Sequence, residues 1–420
     1  MVITIISVDR KEVGNAKKIQ GYLLIYGRRK VGKTYLVKNF LGYDVYFLVK
    51  RGGGILAEGV PLSKIDSFDQ FIELTKSLLK DGKTVVVDEF QRLPGEFLDY
   101  VQSFHPHGRL ILTGSSFHIV KEILSSKSPI LGLFSELKLS LLSASDIFTA
   151  LSKRMNEEKS FELAPYLRDA WTLRYFKHES TRIEEILLFS KGAIRSLLGE
   201  VFLEEERSLS AVYEGLIRSL SIGKWRFKEV SDLLHSRGLI PRADPSLIRP
   251  YFNNMEEMDL VTKIPLYKTK NYKYIVKSPI METGFLLDEK LNLFEEDIPE
   301  KRIKEMIDKK IPSHIEIFCG QIFAELYDGR FEYSYSKDFD IDFIITSGKK
   351  TLACGEVKWS SSPSKEDVYM FLNRTEHIHG DKIFFSKKEI NIDGVISLTP
   401  EKLLKLIKEK KEKVDKYKLV

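Results

Sequence analysis

One stretch constrains this chain more than any other: Gly21 to Thr34, GYLLIYGRRKVGKT. An apolar run, Leu23 to Tyr26, stops at Gly27. Gly27-Arg28-Arg29-Lys30-Val31-Gly32-Lys33-Thr34 then fits GxxxxGK(S/T) at every fixed position. Two glycines at that spacing let the backbone wrap a phosphate chain with its N–H groups turned inward. The lysine reaches the terminal phosphates and the hydroxyl ligates Mg²⁺. The helix expected from Lys33 to Phe40 aims its positive end at the same anion. Gly27, Arg28, Arg29, Lys30, Val31, Gly32, Lys33 and Thr34 are therefore the candidate nucleotide-binding residues, and Thr34 is also a candidate metal ligand. The competing reading is a basic, glycine-containing turn.

The stretches downstream read in the same terms. Tyr43 to Val49 is a second buried strand and Asp66 to Leu79 has apolar residues at helical spacing, with Asp66 or Ser67 as its cap. Thr84 to Gln91, TVVVDEFQ, is an apolar strand that ends in Asp88-Glu89. After a phosphate loop, an acidic residue at such a strand end holds Mg²⁺ and its neighbour polarises the attacking water. Asp88 is assigned to the metal and Glu89 to the catalytic base; taken alone, the pair is a solvated strand end. Arg109 to Ser116, RLILTGSS, is a third strand, and Ser115 or Thr113 at its end sits where a γ-phosphate would be sensed, or simply caps a turn. Strands alternating with helices make this an α/β fold with a parallel sheet, its ligand at the carboxyl ends of the strands.

Leu141 to Leu209 reads as helical throughout, with Lys191-Gly192-Ala193-Ile194-Arg195 between two helices. Arg195 is a candidate phosphate contact, or a plain surface arginine. Val212 to Leu220, Phe227 to Ser236 and Pro245 to Met258 are three helices, followed by strands Leu260 to Pro265 and Tyr272 to Val276. Three helices and a β-hairpin describe a winged helix. Arg249, Lys268, Lys270 and Lys273, interleaved with tyrosines, are its candidate DNA-binding residues; the alternative is a hairpin used for packing between domains. The net charge of +6 allows a polyanion partner without demanding one. Cys319 and Cys354 cannot make a disulfide framework, and apolar runs are only strand-sized, so a cytoplasmic protein without a membrane contact is expected.

A second α/β unit is expected from residue 311. Glu356 and Lys358, two apart on a strand, share a face, as do Asp340 and Asp342 on the strand before. Asp342 and Glu356, with Glu316 on the leading helix as a third ligand and Lys358 beside the water, make chemistry for metal-dependent phosphodiester hydrolysis. A cross-strand ion pair of Lys358 with an aspartate explains the same residues.

With these motifs in place the whole chain resembles archaeal ATPases of the AAA+/STAND type. The residues that carry the resemblance are YGRRKVGKT, VVVDEFQ, LILTGSS, KGAIR in place of a lid Gly-Gly-x-Pro-Arg, and DIDF with GEVKWS. It implies an AAA+-type parallel sheet over residues 1–143, a helical lid over 144–209, a winged helix over 210–280 and a connector over 281–310. A restriction-endonuclease-like PD-(D/E)xK domain would follow over 311–420. It further implies an ATP-binding and ATP-hydrolysing switch with Mg²⁺, which binds double-stranded DNA and carries a nuclease-type domain, and it leaves an oligomer possible. The alternatives are a non-catalytic nucleotide-gated DNA-binding module and an ATP-dependent chaperone-like or signalling scaffold. One departure stands out: where the family carries Gly-Arg before the last core strand, this chain reads Gly132-Leu133, and Leu133 cannot act as an arginine finger.

Overall fold

The computed structural model describes residues 6–417 apart from 61–64, 66, 105–106, 116, 124, 127, 129, 206–209, 336–339 and 360–361. Residues 1–5 lie outside the described residues, as do Asp66 and the turn between the strands that end at Tyr335 and begin at Asp340. The first unit runs α1 (Lys11–Lys18), β1 (Leu23–Tyr26), α2 (Lys33–Phe40), β2 (Val45–Val49), β3 (Ile55–Glu58), α3 (Phe68–Lys80) and β4 (Thr84–Asp88). It continues with α4 (Phe97–Gln102), β5 (Arg109–Gly114), α5 (Phe117–Ile123) and β6 (Ser135–Lys138). Its sheet has the order β3-β2-β4-β5-β1-β6. Every pairing is parallel except β2 with β3.

Alternation explains why both faces of this sheet are covered. Leu24, Phe47, Val85, Val87, Leu110 and Leu112 point to one face, against α3, α4 and α5. Leu23, Ile25, Val86 and Ile111 point to the other, with Leu36 and Val37 of α2. A strand buried on both sides reads as an unbroken apolar run, as Val85 to Val87 does. Ser67 caps α3 by accepting from the Gln70 N–H at 3.2 Å.

The helical region is more broken than its apolar spacing predicts. It comprises α6 (Ala144–Leu151), α7 (Glu157–Leu163), two short 3₁₀ turns (Ala164–Leu167 and Ala170–Tyr175) and α8 (Ile183–Glu204). Pro165 takes a first-turn position in a 3₁₀ turn, within a stretch that reads as helical throughout. Lys191 to Arg195 lie inside α8, not between helices, because neither glycine nor proline stops this 22-residue helix.

The third set is α9 (Ala211–Ser221), α10 (Phe227–Ser236), α11 (Pro245–Glu257), β7 (Val261–Pro265) and β8 (Tyr272–Val276), with β7 and β8 antiparallel. Then come α12 (Pro279–Leu291), α13 (Glu300–Leu326), β9 (Arg330–Tyr335), β10 (Asp340–Ser347), β11 (Lys350–Lys358), α14 (Lys365–Arg374), β12 (Asp381–Ser386), β13 (Ile396–Leu398) and α15 (Pro400–Tyr417). The last five strands form one sheet in the order β13-β12-β11-β10-β9, antiparallel on the β9 side and parallel on the β13 side.

The break expected at residue 311 falls inside α13, a continuous helix of 27 residues with Pro312 in its interior. One apolar core runs from Leu142 through the helical region and the three-helix set to Ile407 of α15. At its centre Phe161 of α7 packs on Trp359 and Phe385, with ring centroids 5.4 and 4.7 Å away. Among the described residues no helix is long and apolar enough to cross a membrane.

Candidate nucleotide site

The loop between β1 and α2 is shaped by close approach. A Cβ on Gly27 would lie 2.0 Å from the Leu139 carbonyl oxygen, so only glycine fits. Gly32 caps α2 with φ at 97°, a left-handed conformation, and a Cβ there would lie 3.6 Å from Ala170 Cβ and from Arg10 Nη1. The Lys33 ammonium donates to the Gly27 carbonyl at 2.8 Å and to the Arg28 carbonyl at 3.2 Å. An ammonium held by neutral carbonyls exchanges readily for a phosphate oxygen, which offers a charge-assisted bond.

At the end of β4 the Asp88 carboxylate is fully buried. Thr34 Oγ1 donates to its Oδ2 at 2.8 Å, and the Tyr46 and Thr113 hydroxyls also donate to it. Burial, reinforced by the adjacent Asp88 charge, pushes the Tyr46 phenol up, so it stays a donor. A carboxylate and a hydroxyl that meet at the foot of the loop are hard oxygen donors of the kind Mg²⁺ takes. Glu89, the next residue, has φ 59° and ψ 40°, a left-handed conformation that is rare outside glycine and asparagine. Its carboxylate accepts from Gln91 Nε2 at 2.7 Å and the Ser115 hydroxyl at 3.3 Å, and Arg92 Nη2 lies 3.1 Å from it.

Of these groups, Gly32, Lys33, Thr34, Glu89 and Ser115 line a cleft of about 560 Å³. One end is polar: Lys30, Gly32, Lys33, Thr34, Glu89 and Ser115. The other is mainly apolar, with Ile6, Val8, Val13, Phe40, Leu142 and Leu173. A pocket of this size with one charged and one apolar end suits a nucleotide. Arg10 and Arg174, not singled out in the sequence, also line it. Arg10 is buried and committed to the Val31 and Ser140 carbonyls at 2.7 and 3.1 Å. A basic residue 17 positions before the loop carries no motif of its own, so only the fold reveals it.

Of the other loop cations, Arg28 and Arg29 do not line the cleft, and Lys30, which does, also faces an acidic side chain. The Arg28 guanidinium lies 2.6 Å from Asp169 Oδ1, and both side chains are 1% exposed. Ser278 donates to the second Asp169 oxygen at 2.5 Å. Arg29 and Lys30 face Glu200 of α8 at 2.8 and 3.6 Å. Arg195 does not join the cleft: its guanidinium is 60% exposed and pairs with Glu295 at 2.6 Å. Because Arg195 lies within one long helix, its direction follows the face of α8 and not a glycine hinge.

In the C-terminal sheet, Lys358 Nζ lies 3.0 Å from Glu356 Oε1 and 4.0 Å from Asp367, while Arg374 Nη1 is 3.9 Å from Glu356. Asp342 Oδ2 accepts from the Val357 N–H at 2.7 Å. Burial lowers the affinity of the Lys358 ammonium for its proton, but Glu356, Asp367 and Asp342 outweigh it and raise its pKa. Glu316 and Asp342 both press on the buried Cys319 thiol, whose pKa is raised first by burial. These residues therefore gather, yet among the described residues no group of three or more His, Cys, Asp or Glu side chains is placed to hold a metal ion. The expected set of Glu316, Asp342 and Glu356 does not form one, and lysine and arginine compensate the charge instead.

The hairpin departs from a free wing. Tyr267 N–H donates to the Tyr333 carbonyl at 3.0 Å, its hydroxyl lies 2.9 Å from Thr351 Oγ1, and Lys273 Nζ sits 3.5 Å above the Tyr333 ring. Lys273 is thus committed to β9, while Arg249, Lys268 and Lys270 are exposed.

The wrapped phosphate loop, the buried acidic strand end and the parallel sheet lie within residues 20–148, which match the AAA domain family. The uncharacterised protein MJECL04 of Methanocaldococcus jannaschii is 23% identical over 400 positions, which cover 86% of this chain and 88% of that protein. Among solved structures, the Walker-type ATPase paby2304 of Pyrococcus abyssi has 18% identity and a TM-score of 0.49, over 66% of this chain and 96% of that one. The ORC2 protein of Aeropyrum pernix has 13% identity and a TM-score of 0.36, over 70% and 88%.

Proposed function

We propose that this chain is an ATP-binding and ATP-hydrolysing switch whose lid reads the occupancy of the phosphate loop. The observation that carries it is Lys33 and Thr34 in the lining of one nucleotide-sized cleft, with Thr34 2.8 Å from the buried Asp88. Lys33 leaves the Gly27 and Arg28 carbonyls to hold the terminal phosphates. Thr34 and Asp88 hold Mg²⁺, which when bound draws charge from the phosphate oxygens. Glu89, fixed by Gln91, Arg92 and Ser115, orients and deprotonates the attacking water. With Leu133 in the finger position, turnover by the isolated chain is slow. Calorimetric titration of the full chain tests the reading. Lys33→Ala is expected to lose ATP binding, and Glu89→Gln to bind ATP but not turn it over. Unchanged affinity in Lys33→Ala refutes it.

The three helices and hairpin support a winged helix that contacts duplex DNA through exposed Arg249, Lys268 and Lys270, with Lys273 used for docking. A second reading, nuclease activity, is favoured by the proximity of Asp342, Glu356 and Lys358. No metal-dependent step is derived, since among the described residues no three carboxylates come together at one metal position. Nicking of supercoiled plasmid in Mn²⁺ that is lost in both Asp342→Ala and Lys358→Ala would establish it; no nicking by the wild type leaves a binding fold.

A further inference from the structure

We infer that the hairpin and the C-terminal sheet present one composite surface to the phosphate backbone of duplex DNA. Lys268 and Lys270 of the β7–β8 turn form one half, and Lys349 and Lys350, where β10 turns into β11, form the other. The inference rests on the duplex-binding reading of the hairpin and extends it to a second unit. All four lysines are exposed. Among the described residues none of them has a carboxylate partner, and the Lys268 ammonium lies 5.1 Å from the centre of the Tyr267 ring. Other cations of the hairpin are paired: Lys263 with Glu256 at 3.0 Å, and Lys277 with the buried Asp259. Unpaired ammonium groups gathered on one surface repel each other and attract a polyanion. Lys268 also has an unfavourable backbone, since its φ of 54° is a left-handed conformation that glycine or asparagine adopts more easily.

The two turns are distant in sequence and meet in the fold. Tyr267 N–H donates to the Tyr333 carbonyl at 3.0 Å, and the Tyr267 hydroxyl lies 2.9 Å from Thr351 Oγ1. Lys268 follows Tyr267 and Lys350 precedes Thr351, so both pairs of cations branch from one hydrogen bond. Even at full stretch that path separates the Cα atoms of Lys268 and Lys350 by no more than about 20 Å. Duplex DNA carries about 12 phosphates over such a length. Because the hairpin is already docked, the halves need no ordering when they bind. On β9, Glu332 is buried and accepts from Arg330 Nε at 3.1 Å and the Thr346 hydroxyl at 2.8 Å, so it is not left to neutralise the turns. Glu356 stands six residues along β11 from Lys350, about 20 Å away at the rise of a strand. The surface is therefore separate from the group of Asp342, Glu356 and Lys358.

The experiment follows the fluorescence anisotropy of a labelled DNA duplex titrated with the full chain across a salt series, in EDTA so that no divalent ion at the carboxylates contributes. Wild type is compared with Lys268→Ala/Lys270→Ala, with Lys349→Ala/Lys350→Ala and with all four changes together. Lys17→Ala/Lys18→Ala, an exposed pair on α1, controls for the loss of charge. Each turn pair is expected to lower the slope of log K against log salt by about two, and the fourfold variant by about four. The α1 pair keeps the wild-type slope. An unchanged slope in Lys349→Ala/Lys350→Ala overturns the composite surface, and the hairpin reading stands where Lys268→Ala/Lys270→Ala still lowers it. An equal fall in the α1 pair assigns the effect to net charge and overturns the inference as well. Failure of the wild type to bind the duplex refutes the DNA reading itself.

Discussion

Removing the carboxylate of Asp169 tests how the phosphate loop is tied to the lid. Arg28 and Asp169 are each 1% exposed and 2.6 Å apart, so solvent screening is negligible. Truncation to alanine leaves a buried guanidinium without its counter-charge, which costs about 3–5 kcal/mol. It also strands the Ser278 hydroxyl, which donates to the same carboxylate, for about 1 kcal/mol more. Asp169→Ala should therefore lose about 5 kcal/mol, and Asp169→Asn, which keeps the shape and acceptor, about half as much. Replacing both partners by apolar residues of similar volume, Arg28→Met with Asp169→Leu, should recover most of the loss, because a buried pair is expensive to break but not to replace. Urea unfolding followed by circular dichroism gives the three values, read on the first transition because the chain has several units. Two results would refute the reasoning: a loss under about 1 kcal/mol in Asp169→Ala, or a double variant as unstable as the sum of the singles.

Other perturbations have signs fixed by the structure. Glu200→Gln frees Arg29 and Lys30 from a competing anion, so ATP affinity by calorimetry should rise several-fold. Burial pushes the Glu282 carboxyl up, but Lys310 and His314 override it and hold it down to about 2. The unfolded chain takes up that proton near 4.5, so about 3 kcal/mol of stability is present above that pH and lost as pH falls toward 2. His314, kept neutral mainly by burial, adds to the loss below 6.5, and Glu282→Gln should flatten the acid limb of a urea–pH series. Lys273→Ala should loosen the hairpin from β9, seen as faster amide exchange at Tyr267, and leave duplex binding unchanged. Lys268→Ala with Lys270→Ala should instead lower the salt slope of duplex binding by about two.

The loop, the β4 end and most strands were legible because each is local. Glycine, lysine and threonine at fixed spacing dictate one backbone path, and Val85 to Val87 can only be a doubly covered strand. The partners of Arg28, Arg29 and Lys30 were not legible, since Asp169 and Glu200 are more than a hundred residues away and mark no pattern. Lys191 to Arg195 misled because a glycine in a long helix need not end it when the flanking apolar residues stay buried. The neutralisation of Glu356 by Lys358 and Arg374 depends on register and on α14, which spacing does not reveal.

The unbroken course of α13 changes what kind of machine the chain can be. At 27 residues it is a rod about 40 Å long. Its first half is buried against α8 and α12, and its second half against β9, β10 and β11. A tilt of about 5° at one end would displace the other by about 3.5 Å. Mechanical freedom is thereby pushed to the two ends of the rod. Asn292, with φ 55°, stands just before it and Asp328, with φ 48°, just after. A shift at one end of a rod this long is carried to the other end rather than absorbed along the way.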